Sequence, residues 1–377
     1  MIFECNTHEL ASAIDVVSRS LAARPVKESY SFIQIDAGDS VISVSATDGS
    51  MYMVANIDAP SSGVEETGVI ALDGKLLAAI VSKQQDGMIT LTSNEKNCTM
   101  KCGKAKTQLP LRPADDFPNM PPVSAKCKTV NLAQGDLRAC IDYVSFCTSN
   151  DQSRKVLTGV LLDFSEGSLR AVGLDGFRMA LRRVACDYAG EPIQCVVPKA
   201  SAVEIARLLT EGDDKPVNLR IDDGYLHVWV GHYTFSTILL TGKYIDYNKL
   251  IRADCKTKSL VDARALRGCV DRAQVMASDG KNDMIFFHFA DSALQITSNS
   301  ANGSAHDELD VGLQGEPLEI AFNVRYLIDM LKREPDGEID IECSGNVSPA
   351  IIRPLDAGDS RLQIVLPVRI LGREAPQ

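Results

Sequence analysis

Apolar positions along the chain follow two rhythms, one helical and one of period two, and the whole alternation recurs at a long interval. Residues 9–17, 136–144 and 265–273 share one helical pattern. Leu10, Leu137 and Leu266 lie 127 and 129 residues apart, with Ile14, Ile141 and Val270 four positions further along the same helical face. A second helical pattern covers residues 73–83, 198–211 and 323–334, opened by Asp73, Pro198 and Asn323, residue types suited to a cap or first turn. Alternating runs such as Val41–Ser45, Leu226–Val230 and Ala293–Thr297 read as half-buried strands of antiparallel sheets.

Together these patterns predict a unit of strand, helix and three strands, then strand, helix and three strands again. The unit occurs three times at a period of about 125 residues, with a pseudo-repeat of about 65 inside it. That is an α+β class. Helices are expected at 7–21, 73–83, 133–148, 198–211, 263–278 and 323–334. Pro121-Pro122 and the polar step Arg252-Ala253-Asp254 mark the boundaries, giving domains at 1–120, 121–251 and 252–370 and an extension at 371–377.

Composition places this pattern in a folded globular protein: 377 residues, 45% hydrophobic, 24% charged. No apolar run approaches the roughly 20 residues of a membrane span. The first residues carry Glu4 and no basic stretch, unlike a signal peptide, so an intracellular protein is expected. Eleven scattered cysteines fit reduced thiols serving as small core hydrophobes. The net charge of −11 repels nucleic acid overall, so any attraction to phosphate must be local. The six helical spans hold 12 Lys/Arg and 10 Asp/Glu, against 27 and 40 elsewhere. A shared helical face would attract phosphates weakly, although Lys and Arg are also good helix formers and the split carries little weight alone.

Signatures of catalysis are missing: no G-x-x-x-x-G-K-[ST], G-x-G-x-x-G, H-E-x-x-H or G-x-S-x-G run occurs. Cys98 and Cys102 have no second ligand pair at zinc spacing. His8, His227, His232, His288 and His306 share no motif, and His227 and His288 sit in strand patterns. No cofactor and no metal are expected. A non-catalytic scaffold leads on these residues, and an enzyme with an unrecognised cysteine or histidine site stays open.

Several longer motifs follow in order: Ala23-Arg24-Pro25, Asp115-Asp116-Phe117-Pro118-Asn119-Met120, Leu157-Thr158-Gly159-Val160-Leu161 and Val172-Gly173-Leu174-Asp175-Gly176-Phe177-Arg178-Met179-Ala180. After them come Gly242-Lys243-Tyr244-Ile245-Asp246-Tyr247, Phe322-Asn323-Val324-Arg325-Tyr326 and Val365-Leu366-Pro367-Val368-Arg369-Ile370. In order and spacing the chain resembles the bacterial replicative sliding clamp family, the beta subunit of DNA polymerase III, over residues 1–370. The resemblance implies three repeated clamp domains, each of two helices packed on antiparallel sheets, in a head-to-tail ring homodimer. Such a ring encircles duplex DNA as a cytoplasmic, nucleoid-associated processivity factor with no catalysis and no membrane partner. It would tether polymerase subunits, the clamp loader and repair proteins through short peptides.

Family DNA-contact positions map onto Arg24, Lys75, the Gln152-Ser153-Arg154 loop and Lys199. The peptide pocket maps onto Leu157, Leu174, Gly176, Phe177, Arg178, Met179, Ile245, Leu250, Asn323, Tyr326, Val347, Val365, Leu366, Pro367, Val368, Arg369 and Ile370. It reads as an apolar groove with Arg178, Asn323 and Tyr326 as polar fixing groups. Ring closure is expected between a basic edge strand running from Lys101 to Leu109, with Lys104 and Lys106, and an acidic strand from Ala305 to Val311, with Asp307, Glu308 and Asp310. Val275 and Met276 join that interface. The chain departs from the family at several places. Leu174 and Phe177 stand where Thr and His are commoner, Ile245 where Pro is, and Thr107 where an aromatic often seals the ring. A more apolar pocket with a different peptide preference follows, and a divergent paralogue is the third reading.

Overall fold

The computed structural model describes residues 1–58, 63–222, 224–251, 255–277 and 283–369. The expected boundary at Arg252-Ala253-Asp254, pocket residue Ile370 and the extension 371–377 lie outside them. Repeat one runs β1 (Ile2–Asn6), α1 (Thr7–Ser18), β2 (Phe32–Ala37), β3 (Val41–Thr47), β4 (Met51–Asp58), β5 (Val64–Glu66), β6 (Gly68–Asp73), α2 (Gly74–Val81), β7 (Met88–Ser93), β8 (Asn97–Cys102) and β9 (Ala105–Pro110). Repeat two runs β10 (Lys128–Ala133), α3 (Gln134–Val144), β11 (Gly159–Ser165), β12 (Ser168–Leu174), β13 (Arg178–Ala185), β14 (Ile193–Pro198), α4 (Lys199–Leu208), β15 (Pro216–Ile221), β16 (Tyr225–Val230), β17 (Tyr233–Ile238) and a short α5 (Asn248–Ile251). Repeat three runs β18 (Thr257–Asp262), α6 (Ala263–Ala277), β19 (Met284–Ala290), β20 (Ala293–Ser300), β21 (Gly303–Asp310), β22 (Gly312–Gly315), β23 (Leu318–Asn323), α7 (Val324–Leu331), β24 (Glu338–Cys343), β25 (Ala350–Pro354) and β26 (Arg361–Val365).

The chain forms two compact units, Met1–Arg138 with Val203–Leu239, and Ala139–Ala202 with Leu240 onward. In the first, strands order as β5-β1-β7-β8-β9 and as β10-β15-β16-β17-β4-β3-β2-β6. In the second they order as β14-β11-β12-β13-β26-β25-β24-β18-β22 and as β21-β20-β19-β23. Each larger sheet joins two repeats through one antiparallel seam, β17 on β4 and β26 on β13. Repeat two gives strands to both units, which is why the division runs through it. Among the described residues β9 and β21 are two of the eight strands that end a sheet.

The helical faces foreseen from the sequence are the buried ones. Leu10, Ile14, Leu137, Ile141, Leu266 and Val270 are all inaccessible to solvent or nearly so, and each such side chain contributes roughly 1.5–3 kcal/mol by leaving water. Asp73 caps α2 by accepting from the Leu76 N–H at 2.9 Å, and Asn323 caps α7 by accepting from Arg325 N–H at 3.0 Å. None of the eleven cysteines forms a disulfide, and eight are buried. Burial pushes the Cys5, Cys195 and Cys343 thiols up to about 12, which suits packing rather than reactivity. On the face of β16 opposite Leu226 and Val228 lie Tyr225, His227 and Trp229, the single tryptophan, with Arg220 stacked 4.8 Å over its ring.

The structure corrects several details. Helices stop two or three residues early at α1, α2, α4 and α7, because the last turns tighten into i→i+3 bonds such as Ser20 N–H to Val17 O, Gln84 N–H to Val81 O and Leu209 N–H to Ala206 O. The 133–148 helix ends at Val144 and continues as a 3₁₀ turn over Ser145–Cys147. The expected strand from Lys101 to Leu109 is a hairpin. Gly103 takes φ +56 in the turn, leaving Lys101 on β8, Lys104 in the turn and Lys106 on the edge strand β9. The Gln152-Ser153-Arg154 segment is no open loop but opens a region of two short 3₁₀ turns, Gln152–Thr158, that meet at a kink where Arg154 leaves helical geometry, with Asp151 accepting from Ser153 N–H at 2.9 Å.

Candidate partner-binding site

In the second unit the turn between β12 and β13 builds one wall of an open cleft of about 490 Å³, lined by Phe146, Asp175, Phe177, Arg178, Lys199, Tyr326 and Asp329 among others. Asp175 shapes the turn by accepting from the N–H groups of Phe177 (2.8 Å) and Arg178 (2.9 Å). Gly176 sits at φ +97, a conformation that disfavours side chains. The turn thrusts Phe177 outward, 57% exposed, where its ring stacks on Tyr326 with centroids 6.0 Å apart. Tyr326 reaches this position from the first turn of α7, which Asn323 caps.

Arg178 fastens the wall. Its guanidinium donates to Asp175 Oδ2 at 3.0 Å and to Asp329 Oδ2 at 2.8 Å, and lies 4.7 Å over the Tyr326 ring and 5.3 Å from that of Phe146. Burial opposes its charge, but the hydrogen bonds to Asp329 and Asp175 outweigh that and raise its pKa. The sequence cast Arg178 as a group that fixes a ligand. Nε and Nη1 are engaged with the two carboxylates, contacts that hold Tyr326 and the turn in place.

The other expected pocket residues fall into two groups. Leu157, Leu174, Met179 and Val365 are buried core residues beneath the site, and Leu250 packs against the first three from the side. Ile245, Leu366 and Arg369 are exposed, as is Val347, 66% accessible on the turn between β24 and β25. Pro367 and Val368 are half-buried. The segment 365–369 is held beside the turn by Leu366 N–H donating to Phe177 O and Val368 N–H to Ala321 O, both at 2.8 Å. Six lining residues were not among the expected site positions: Phe146, Thr148, Ser149 and Asn150, in and after a 3₁₀ turn without periodicity, Asp175 in the turn itself, and Asp329, whose place three residues after Tyr326 on one helix face was available as a signal.

Of the expected DNA contacts, Arg24, Lys75, Gln152 and Arg154 are exposed, whereas Lys199 lines the cleft just described. At the sheet edges, Lys101 and Lys106 face each other across β8 and β9. On β21, Asp307 turns toward α6 and is held by Arg272, Nη2 to Oδ1 at 2.6 Å. It is therefore already neutralised within its own chain, contrary to its expected availability for a basic edge. Glu308 accepts from Gln295 Nε2 at 3.0 Å, and Asp310 is exposed. Leu109 is buried, Met276 half-buried and Val275 exposed. At the end of α7, buried Glu334 accepts from the Tyr143 hydroxyl and from Gln363 Nε2, with Arg361 Nε 3.6 Å from its other oxygen. Burial raises its pKa despite these partners.

Models of the DNA polymerase III beta subunit match the chain in succession: the N-terminal domain at residues 1–121, the central domain at 131–246 and the C-terminal domain at 248–369. The beta sliding clamp of Synechococcus elongatus is 29% identical, over 97% of this chain and 98% of that one. That of Vibrio cholerae is 27% identical over 98% and 100%. A crystallised sliding clamp from Pseudomonas aeruginosa, bound to griselimycin, superposes with a TM-score of 0.92 at 26% identity over 98% of this chain and 100% of its own. Among the described residues no helix is long and apolar enough to cross a membrane.

Proposed function

The chain belongs to the DNA polymerase III beta subunit family, and from that premise we propose that it is a processivity clamp, a head-to-tail ring of two copies around duplex DNA. The observation that supports this is that repeats one and two, and repeats two and three, join edge to edge, while among the described residues β9 of repeat one and β21 of repeat three are sheet-end strands open to the same kind of seam. A second copy placed in the same way covers both edges and closes by rotation. The three domains divide at 120/121 and 251/252, with the sheets continuous across the divisions. Arg24, Lys75, Gln152 and Arg154 contact phosphates weakly and without sequence preference, so that topology rather than affinity retains the DNA. The Phe177–Tyr326 cleft takes short peptides of polymerases, the clamp loader and repair proteins, with Leu366 and Ile245 as apolar flanks. The work is done in the cytoplasm, on the nucleoid, without chemistry of its own.

Retention on circular DNA tests the proposal. Loaded by its clamp loader onto a nicked circular duplex and passed through a sizing column in high salt, the protein is expected to stay with the circle and leave once the DNA is cut. Equal retention on linear DNA would mean ordinary binding and overturn the ring.

A further inference from the structure

The two internal seams obey one rule of alignment. We infer that the same rule closes the ring with Lys106 of one copy directly opposite His306 of the other, so that closure weakens when that histidine is protonated. This rests on the ring proposed above. At the first seam Met51, which opens β4, faces Thr237, and Ala55 faces Tyr233, which opens β17. At the second Arg178, which opens β13, faces Val365, and Arg182 faces Arg361, which opens β26. The offset is identical although the sequences are not. β4, β13 and β21 are each eight residues long. β9 follows a two-residue turn, as β17 does.

Applied to β21, opening at Gly303, and β9, opening at Ala105, this offset sets Leu109 against Gly303, Gln108 against Ser304, Thr107 against Ala305, Lys106 against His306 and Ala105 against Asp307. One step further, Lys104 meets Glu308. The faces agree, as directly opposed residues of an antiparallel pair must. Half-buried Thr107 meets half-buried Ala305, while Lys106, His306, Gln108 and Ser304 are all exposed. Leu109 arrives at a glycine, where a Cβ would have stood 3.5 Å from Met276 Sδ, which gives the leucine an apolar neighbour.

Only groups that the second copy brings alter association, since those around His306 in its own chain act before and after closure. The latter are Glu308 and Ser304 on β21, Thr297 opposite on β20 with Gln295 and Asn299 flanking it, and His288 beyond on β19. Asp307 and Arg272 lie on the other face, paired with each other. The second copy brings Lys106, flanked by Gln108 and Lys104 and backed by Lys101. The next residues in that row are Thr90 on β7 and then Glu4 on β1. Glu4 is three strands from the edge, roughly 14 Å at strand spacing and beyond the screening length of physiological salt. A protonated His306 therefore meets cations at about 5 Å, with no nearby anion gained in exchange.

Sedimentation of the full chain at about pH 8 and about pH 6, the interval in which histidine changes charge, tests this. The dimer is expected to dissociate about tenfold more readily at the lower pH, counting both seams. His306→Gln should abolish the difference, and Lys106→Glu should reverse its sign. A dimer whose pH response persists in His306→Gln overturns the alignment but leaves the ring standing. A chain monomeric at both pH values overturns the ring itself. Both side chains are exposed, and circular dichroism of each variant checks that its fold is kept.

Discussion

Glu334 concentrates the energetics of single residues. It is 3% exposed, and burial raises its pKa even with Tyr143 and Gln363 donating and Arg361 nearby. A carboxyl whose folded pKa is raised contributes stability below the ordinary carboxylate range and loses it as pH climbs through the raised value. Glu334→Gln is therefore expected to raise the melting temperature at neutral pH, with the gain shrinking toward about pH 4.5. Arg361 keeps Asp356, 3.3 Å away, as a partner in the variant. A lower melting temperature at neutral pH would mean that the Arg361 ion pair outweighs desolvation. Arg178 is the opposite case, a half-buried charge met by two carboxylates and two aromatic faces. Its nearness to Asp175 was legible in the motif they share, while its pairing with Asp329 was not, because that carboxylate becomes a neighbour only through α7.

Among the elements, the β12–β13 turn and α7 make the cleft jointly, the turn supplying Phe177 and the helix Tyr326 and Asp329. Fluorescent short peptides with apolar anchors are expected to bind at micromolar concentration. Phe177→Ala should weaken binding by about 2 kcal/mol, roughly thirtyfold, with the fold intact since the ring is largely in solvent. Unchanged affinity would remove Phe177 from the binding surface. The six main helices and the succession of helices and strands along the chain were readable because their faces repeat with fixed periods and Asp73 and Asn323 announce two starts. β5, β22 and α5, three or four residues each, are too short to show a period. The hairpin at Gly103 was hidden by a run of lysines that reads the same in a strand or a turn.

For the molecule as a whole, the repeat at about 125 residues predicted three like domains, and the sheets obey a different grouping. Strands of repeat two complete the sheets of its neighbours, so cohesion follows the seams β17–β4 and β26–β13. No sequence period could reveal that, because a seam joins residues far apart in the chain and depends on backbone edges rather than on side-chain pattern. The acidic balance outside the helices was legible, but its local use was not: Asp307 counts as an acid in composition and is spent on Arg272 in the fold.

The lone tryptophan on β16 belongs wholly to one of the two compact units, and this gives the protein a built-in optical reporter with a restricted field of view. Trp229 emission follows the unit of Met1–Arg138 and Val203–Leu239, whereas far-ultraviolet dichroism sums the backbone of both. In urea the two signals are expected to trace separate transitions if the units melt independently, and one common curve if the shared repeat binds them into a single cooperative body. The indole thus turns a spectroscopic comparison into a direct reading of how far cooperativity travels along the chain.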